Sequence, residues 1–337
     1  MESTSTVNPR YSGISTYQQE QIAQATADIQ AIQEQIRKAI LGHDETINLM
    51  LASILCNGHV LLEGMPGVAK TTLIKTVTTV LGLDFKRVQF TPDLLPADLI
   101  GTLVYNQKTG DFEARKGPIF THIVLADEIN RAPAKVQSAL LEAMQEHQVT
   151  IGNTTYHLEH PFLVFATQNP IEQEGTYPLP EAQVDRFMCK LVMGYPSRDQ
   201  EKRLLSNSYR QQQSFEPISR DRLDQLQNVA DSVYIDELVV DYITRIVATT
   251  REPGKYGCGE VTRFILHGAS PRATLALQSA SRAYALIKGR HFVIPDDVKA
   301  VCPGILRHRL ILTFEAEAEG QSSDLLIAKI LAKVAVP

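Results

Sequence analysis

The sequence predicts an α/β fold in which a parallel β-sheet lies between helices and is followed by a helical C-terminal domain. Three observations lead to this prediction. Apolar strand-like runs alternate with segments of helical periodicity between residues 59 and 193, a pattern typical of parallel sheets. A glycine-containing loop joins the first strand of that series to its first helix. After residue 195, helical patterns dominate.

The composition limits the class of protein. The chain has 337 residues, of which 44% are hydrophobic, and a formal net charge of −5. These values suit about two domains with a buried core and argue against a dominant non-specific nucleic-acid surface. The four cysteines have no metal-ligand spacing, so we expect reduced, buried thiols.

No targeting or membrane segment is evident in the sequence. The first ten residues are polar and lack the apolar region of a signal peptide. No apolar run approaches the length needed to span a membrane. We therefore expect a cytoplasmic location.

The elements can be assigned in order along the chain. Residues 1–15 are rich in Ser and Thr and are expected to be disordered. Apolar residues at helical spacing predict helices within 14–40 and 44–56. Strands are expected at 59–63, 86–90, 122–127, 162–167 and 188–193, with helices at 70–81, 96–100, 133–147 and 180–186.

Two β-hairpins interrupt this alternation. The first is expected over 102–115 and the second over 148–158, each with a glycine at its turn. A change to helical patterns after Tyr195 predicts a core domain at 16–195 and a helical lid at 196–337.

The loop Gly64-Met-Pro-Gly-Val-Ala-Lys-Thr71 has the context of a phosphate-binding loop, between a strand and a helix. Gly64 and Gly67 allow several backbone N–H groups to point at one anion, and the helix adds its positive N-terminal end. Lys70 can reach the β- and γ-phosphates of a nucleotide, and the Thr71 hydroxyl can ligate Mg²⁺. The alternative is an ordinary strand–turn–helix connection.

Ala69 departs from the general pattern, which has glycine before the lysine. Alanine is small enough to leave the backbone close to a phosphate if its φ is negative. On that condition we interpret the loop as a variant of the motif.

Polar residues follow two further strands. Asp127 and Glu128 end an apolar strand, where Asp127 can hold Mg²⁺ through its water shell and Glu128 can orient or deprotonate an attacking water. Asn169 follows the next strand and could touch both the γ-phosphate and that water. The alternatives are a solvated acidic pair for the first feature and a simple Asn-Pro turn for the second.

Long runs of the sequence resemble the MoxR family of AAA+ ATPases. The runs are Leu125–Glu146, Ala166–Pro170, Glu174–Phe187 and Gly268–Ala273, within a resemblance that covers roughly residues 30 to 335. The resemblance implies a P-loop AAA+ core with a five-stranded parallel sheet and a C-terminal all-α lid. The alanine at position 69 is also what this family shows before its lysine.

The resemblance assigns roles to individual residues. Lys70 and Thr71 match Walker A, and Asp127 and Glu128 match Walker B, with Glu128 as the catalytic base and Asp127, with Thr71, as the metal site. The full set of nucleotide-contacting positions is Leu41, Gly42, Gly64, Pro66, Gly67, Val68, Ala69, Lys70, Thr71 and Thr72. Leu41 and Gly42 match the segment that frames adenine in related modules.

Three residues complete the implied site. Asn169 matches sensor 1, Arg272 matches sensor 2 on a lid helix, and Arg186 matches the arginine finger, which acts on the ATP of a neighbouring subunit. Independently of the resemblance, Ser270-Pro271 is a helix-start signal that puts Arg272 in a first turn. From the residues alone, a surface arginine at 272 and an intrachain salt bridge from Arg186 to Asp185 or a nearby Glu stay open.

The implied function is ATP hydrolysis with Mg²⁺ by a homo-oligomeric, hexameric ring. The implied task is chaperone-like remodelling, maturation or metal-cofactor insertion of protein clients, including proteins with a von Willebrand factor A domain. A nucleic-acid motor is the alternative, although only one weak basic patch, Lys108, Arg115 and Lys116, lies in the hairpins. A third possibility is a nucleotide-dependent switch with negligible turnover, against which Glu128 and Arg186 argue.

Overall fold

In a computed structural model, the chain is described over residues 16–170, 177–205 and 214–337. The predicted disorder of residues 1–15 lies outside the described residues. The elements of the N-terminal part are α1 (Thr16–Ala39), α2 (Asp44–Leu55), β1 (Val60–Gly64), α3 (Lys70–Val80), β2 (Phe85–Gln89), α4 (Pro96–Ile100), β3 (Gly101–Asn106), β4 (Asp111–Lys116), β5 (Ile123–Asp127), α5 (Ala134–Glu146), β6 (Gln148–Ile151), β7 (Thr154–His157), β8 (Leu163–Gln168), α6 (Glu181–Val184) and β9 (Cys189–Met193).

The central sheet has five parallel strands in the order β2-β5-β8-β1-β9. The predicted parallel sheet is confirmed, and each predicted strand lies within one residue of its observed position. Strand β8 is the middle strand, so its C-terminal end lies between the loops that follow β1 and β5. This order brings the phosphate-loop candidate and the acidic pair to the same edge of the sheet, because parallel strands all end on one side.

Alternation of side chains along the strands separates two hydrophobic layers. Leu62 and Leu125 face one side, where they share a core with Leu73 and Ile74 of α3. Val124, on the opposite face, belongs to a second core that includes much of α5. The helices thus cover both faces of the sheet, as the run of apolar strands predicts.

The two predicted hairpins are confirmed as antiparallel pairs outside the central sheet. Strands β3 and β4 pair from Gly101–Lys116 to Asn106–Asp111, and β6 pairs with β7. Leu103 of the first hairpin lies against Gly152 of the second, where an added Cβ would be 2.6 Å from a Leu103 methyl carbon. The φ of +63° at this turn favours glycine, and any other residue would also have to displace the exposed Leu103 side chain.

In the described residues after 193, the C-terminal part is mostly helical and contains one short strand pair. Its elements are α7 (Arg198–Leu204), α8 (Arg220–Ser232), α9 (Glu237–Arg251), β10 (Ile265–His267), α10 (Pro271–Ile287), α11 (Pro295–Leu306), β11 (Ile311–Leu312), α12 (Phe314–Ala318) and α13 (Ser323–Lys333). Strands β10 and β11 pair antiparallel, a feature too short for strand periodicity to reveal. The boundary near residue 195 stays a prediction.

All four cysteines are free, and Cys189, Cys258 and Cys302 are buried. Within the described ranges, no helix combines the length and the apolar character required to cross a membrane.

A buried histidine joins three core elements. His59, directly before β1, is 8% exposed and accepts a hydrogen bond at Nδ1 from the Val164 N–H (3.1 Å). Its Nε2 therefore carries the proton and donates to the Met144 carbonyl at 3.1 Å. Burial, with a smaller contribution from nearby His147, lowers the pKa of His59 to about 4.

We expect this histidine to make the fold acid-sensitive. Between pH 6.5 and 4, His59 is protonated in the unfolded chain but stays neutral in the folded chain. The free energy of unfolding therefore falls as the pH falls through this range. The loss from this group is about 2 kcal/mol at pH 5. Urea unfolding of His59→Gln should give a variant less stable than wild type at pH 7.5, with the gap narrowing toward pH 5.

The exposed His157 offers the matched control. His157→Gln should follow the wild-type pH dependence throughout. A gap between wild type and His59→Gln that stays constant from pH 7.5 to 5 would contradict the role of His59.

Candidate functional site

The loop between β1 and α3 makes a tight turn that contains two residues with left-handed backbone. Gly67 has a φ of +83°, and Ala69 has φ +63° and ψ +26° as the residue that caps α3. The condition of a negative φ, under which the sequence suggested that alanine is tolerated at position 69, is therefore not met. The residue just before α3 thus has a left-handed backbone. A glycine, which the general motif has at this position, adopts that conformation without strain. Alanine is strained there by about 1 kcal/mol.

The other loop residues divide by exposure. The Val68 side chain is buried in the core beneath α3, so this residue offers only its backbone to a ligand. Pro66, Gly67, Ala69 and Thr72 are exposed, whereas Lys70 and Thr71 are partly buried.

Lys70 connects this loop to the middle of the sheet. As the first residue of α3, it donates from Nζ to the carbonyl of Gly64 (2.5 Å) and to the carbonyl of Gln168 (3.2 Å). Gln168 is the last residue of β8. The lysine ammonium therefore lies where the loop after β1 meets the end of the middle strand.

Asp127 is tied to the same end of β8. Its side chain is nearly buried, and its Oδ1 accepts a hydrogen bond from the Thr167 hydroxyl at 2.5 Å. The Thr167 hydroxyl in turn accepts the backbone N–H of Glu128 at 2.9 Å. Thr167 thus holds both acidic residues in place, and Lys70 binds the very next residue of the strand.

Sequence reasoning did not single out Thr167. Its hydroxyl stands next to the polar pair Gln168-Asn169 at the end of an otherwise apolar strand. A buried hydroxyl needs a hydrogen-bond partner, and this is the signal that could have pointed to it.

Glu128 begins the turn after β5 in a left-handed conformation, with φ +56° and ψ +52°. Its carboxylate accepts a hydrogen bond from the Gln89 amide at 2.8 Å and pairs with the Arg131 Nε at 3.0 Å. Strained backbone of this kind in a non-glycine residue is concentrated at functional sites. The contacts to Gln89 and Arg131 thus hold the Glu128 carboxylate within its own chain.

Asn169 is buried and directly follows β8. Together with Gln168 and Asn130 it lines a cavity of about 360 Å³ at the carboxyl edge of the sheet. The middle strand therefore ends in polar side chains at the edge that carries Lys70 and Asp127.

Arg272 lies in the first turn of α10, whose N-cap is Ser270, so the predicted helix start is confirmed. Its guanidinium is half exposed and pairs with Asp185 at 3.5 Å. Ser270 donates its hydroxyl to the same carboxylate at 2.9 Å. The start of this lid helix is thus attached to the segment that carries Arg186.

A second lid arginine makes that attachment strong. Arg309 is 3% exposed at its side chain, and its Nε donates to Asp185 Oδ1 at 2.8 Å. It also donates to the carbonyls of Phe187 (2.8 Å) and Met188 (3.0 Å). Desolvation lowers the pKa of Arg309, and the Asp185 carboxylate opposes that shift. No sequence motif had indicated this residue.

Arg186 is oriented differently from its neighbour. It is partly buried and donates from Nη1 to the carbonyl of Leu141 in α5 at 3.0 Å. The Asp185 carboxylate pairs with the lid residues Arg272 and Arg309, and among the described residues no ion pair joins it to the adjacent Arg186.

Leu41 and Gly42 form the turn between α1 and α2 and are partly buried. Gly42 has a φ of +76°. A Cβ added to it would lie 2.0 Å from the side-chain nitrogen of Gln200 in α7. This turn therefore meets the first helix of the C-terminal part.

Residues 59–189 match the model of the ATPase family associated with various cellular activities (AAA), and residues 261–330 match that of the AAA lid domain. Chaperone MoxR1 of Mycobacterium tuberculosis is 48% identical over 307 residues, covering 90% of this chain and 81% of that protein. The chain belongs to the MoxR family of AAA+ ATPases.

Further comparisons agree with this assignment. Protein MoxR of Methylorubrum extorquens is 30% identical over 298 residues, which cover 83% of this chain and 86% of that protein. A crystal structure from Cytophaga hutchinsonii, described as a candidate ATPase, has a TM-score of 0.87 and 48% identity, covering 94% of this chain and 97% of that one. The MoxR-family chain is therefore an ATPase with an AAA+ core and lid.

The strained Ala69 leads to a prediction. In Ala69→Gly the left-handed strain is removed while the unfolded chain gains a similar freedom, so the free energy of unfolding should change by less than about 1 kcal/mol. Affinity for a fluorescent ADP analogue should be kept. In Ala69→Val a β-branched side chain must adopt the same φ, and affinity should fall roughly tenfold or more, which is about 1.4 kcal/mol. Equal affinity in the two variants would contradict the left-handed conformation.

The buried pair Asp185–Arg309 leads to another. Asp185→Asn leaves the Arg309 guanidinium buried without its counter-ion and should lower the free energy of unfolding by about 3 kcal/mol. Asp324→Asn is the control, because Asp324 pairs with Arg307 at 2.9 Å but is 52% exposed. That variant should lose less than about 1 kcal/mol. Urea unfolding measures both losses, and losses of similar size would argue against a stabilising role of the buried Asp185–Arg309 pair.

Proposed function

We propose that ATP binds at the carboxyl edge of the sheet, between the loop Gly64–Thr71 and the start of α10, and is hydrolysed there. The observation that carries this proposal is that Lys70 and Asp127 bind successive residues of β8, Gln168 and Thr167. A phosphate-binding lysine and a metal-binding carboxylate must lie close together to act on one nucleotide. The turn at Leu41 and Gly42 is the proposed adenine contact.

The donor set at this edge fits Mg²⁺. A carboxylate at Asp127 and a hydroxyl at Thr71 are hard oxygen ligands of the kind that Mg²⁺ takes, with water in its remaining positions. When bound, Mg²⁺ would neutralise charge on the β- and γ-phosphates.

Each chain residue then has a chemical task. Lys70 exchanges its carbonyl partners for phosphate oxygens, since an ammonium prefers a charged acceptor. Glu128 accepts a proton from, or orients, the attacking water once its carboxylate leaves Gln89 and Arg131. Asn169 aligns this water, and Arg272 stabilises the developing charge from the lid side.

Arg186 is proposed to act in trans. Its tether to Leu141 and the anchoring of neighbouring Asp185 by Arg309 hold this segment against the core and the lid. A fixed arginine presented to the next subunit can stabilise its transition state and is worth about 10³–10⁵ in rate. This role requires a homo-oligomeric ring, which we propose to be a hexamer.

The output of the cycle is proposed to be work on protein clients. One relative is named a chaperone, which supports remodelling or maturation as the task. Metal-cofactor insertion and clients with a von Willebrand factor A domain are the more specific forms of this proposal, and the proposed location is the cytoplasm.

The nucleic-acid alternative finds no support in the hairpins. Lys116 lies over the rings of Phe120 and Tyr156, at 4.7 and 5.2 Å from their centroids. One of the three basic residues in the patch is therefore engaged in a cation–π contact within the chain.

Glu128→Gln tests the base directly. It removes the proton acceptor but keeps the shape and a hydrogen-bonding side chain, so steady-state ATP hydrolysis should fall at least about a hundredfold while binding of a fluorescent ATP analogue persists. Glu142→Gln on α5 is the control for removal of one acidic charge. Hydrolysis at the wild-type rate in Glu128→Gln would make the assignment wrong.

Mixing subunits tests Arg186. Arg186→Ala and Glu128→Gln proteins should each be inactive alone, and mixed rings should regain part of the wild-type activity, because some interfaces then combine an intact base with an intact arginine. Stable mixed rings without any regained activity would count against action in trans.

A further inference from the structure

Asp127 has a cationic partner that no motif had indicated. Arg87 lies on β2, the strand next to β5. It binds Asp127 Oδ2 through Nε at 2.8 Å and through Nη2 at 2.6 Å. Because Thr167 donates to Oδ1, both oxygens of this carboxylate are bound by groups of the chain.

The two partners differ in their exposure to water. The Asp127 side chain is 10% exposed, whereas that of Arg87 is 52% exposed. A carboxylate removed from water needs a counter-charge to stay ionised at low cost. The arginine, in contrast, can turn into solvent with little loss of hydration.

We propose that Arg87 is the resident counter-ion of Asp127 and that a divalent cation must displace this guanidinium before Asp127 can serve the metal site. The proposal rests on the proposed function, which gives Asp127 to the metal. Arg87 is a positioning residue in this scheme, since it acts through Asp127 and not on the nucleotide.

Electrostatics gives the direction of the effect. A guanidinium on Oδ2 and a divalent cation near the same carboxylate are like charges a few ångströms apart, so each weakens the binding of the other. Arg87 should therefore raise the concentration of metal that the site requires. Its Nη2 also donates to Gln89 at 3.1 Å, a contact within β2 that can keep the displaced side chain near the site.

The test measures metal affinity without turnover. Mn²⁺ is titrated into the full-length protein saturated with ADP, and free Mn²⁺ is followed by its electron paramagnetic resonance signal. Arg87→Gln removes the charge, Arg87→Lys keeps it, and Lys86→Gln removes one charge from the adjacent, exposed position of the same strand. Arg87→Met carries the same expectation as Arg87→Gln and replaces it if that variant does not fold.

Arg87→Gln should bind Mn²⁺ about threefold to tenfold more tightly than wild type, as expected from removing one nearby positive charge. Arg87→Lys and Lys86→Gln should stay within about twofold of wild type. Unchanged or weaker binding in Arg87→Gln overturns the proposal, as does equal tightening in Arg87→Lys or Lys86→Gln.

The variant Asp127→Asn distinguishes a failure of this proposal from a failure of the proposed function on which it rests. If Asp127→Asn binds Mn²⁺ as wild type does, the assignment of Asp127 to the metal has failed. If Asp127→Asn weakens binding and Arg87→Gln does not tighten it, the metal assignment stands and only the displacement of Arg87 is wrong.

Discussion

The end of β8 is the constraint on which the candidate site depends. This strand is the middle one of five, and its last two residues bind groups from both sides. Thr167 holds Asp127 and the backbone of Glu128, while the Gln168 carbonyl accepts from Lys70. Because β8 is fixed by hydrogen bonds to β1 and β5, it sets the spacing between the lysine and the acids.

The charges around the two acids are balanced within the chain. Asp127 pairs with Arg87, and Glu128 pairs with Arg131. Gln89 stands between these pairs, since it accepts from Arg87 and donates to Glu128. On the edge strand β2, Arg87 therefore contacts Asp127 and Gln89 contacts Glu128. Because Arg87 and Gln89 also contact each other, a change at one acid can alter the contacts of the other.

The lid is coupled to the core by charge and not by apolar contact alone. Asp185 accepts hydrogen bonds from Arg309 and Ser270 and forms an ion pair with Arg272, and all three partners belong to the C-terminal part. Arg186 is the next residue along the chain. A movement of the lid would therefore move the backbone beside Arg186. In the proposed ring, this would link the lid of one subunit to the arginine that acts on the ATP of the next subunit.

The sequence by itself determined the sheet and the hairpins, because strand periodicity, turn glycines and helix caps depend on neighbours along the chain. The roles of the candidate residues up to Arg272 came in part from the resemblance of its motifs to a known family. The sequence did not determine Thr167, Arg87 or Arg309, whose partners lie at least 40 positions away. It also did not determine the positive φ of Ala69, a conformation that alanine by itself disfavours. Only the tertiary structure of the sheet and lid decided which distant polar groups pair. A buried charge or hydroxyl needs a hydrogen-bond partner, and the fold determines which groups lie close enough to provide one.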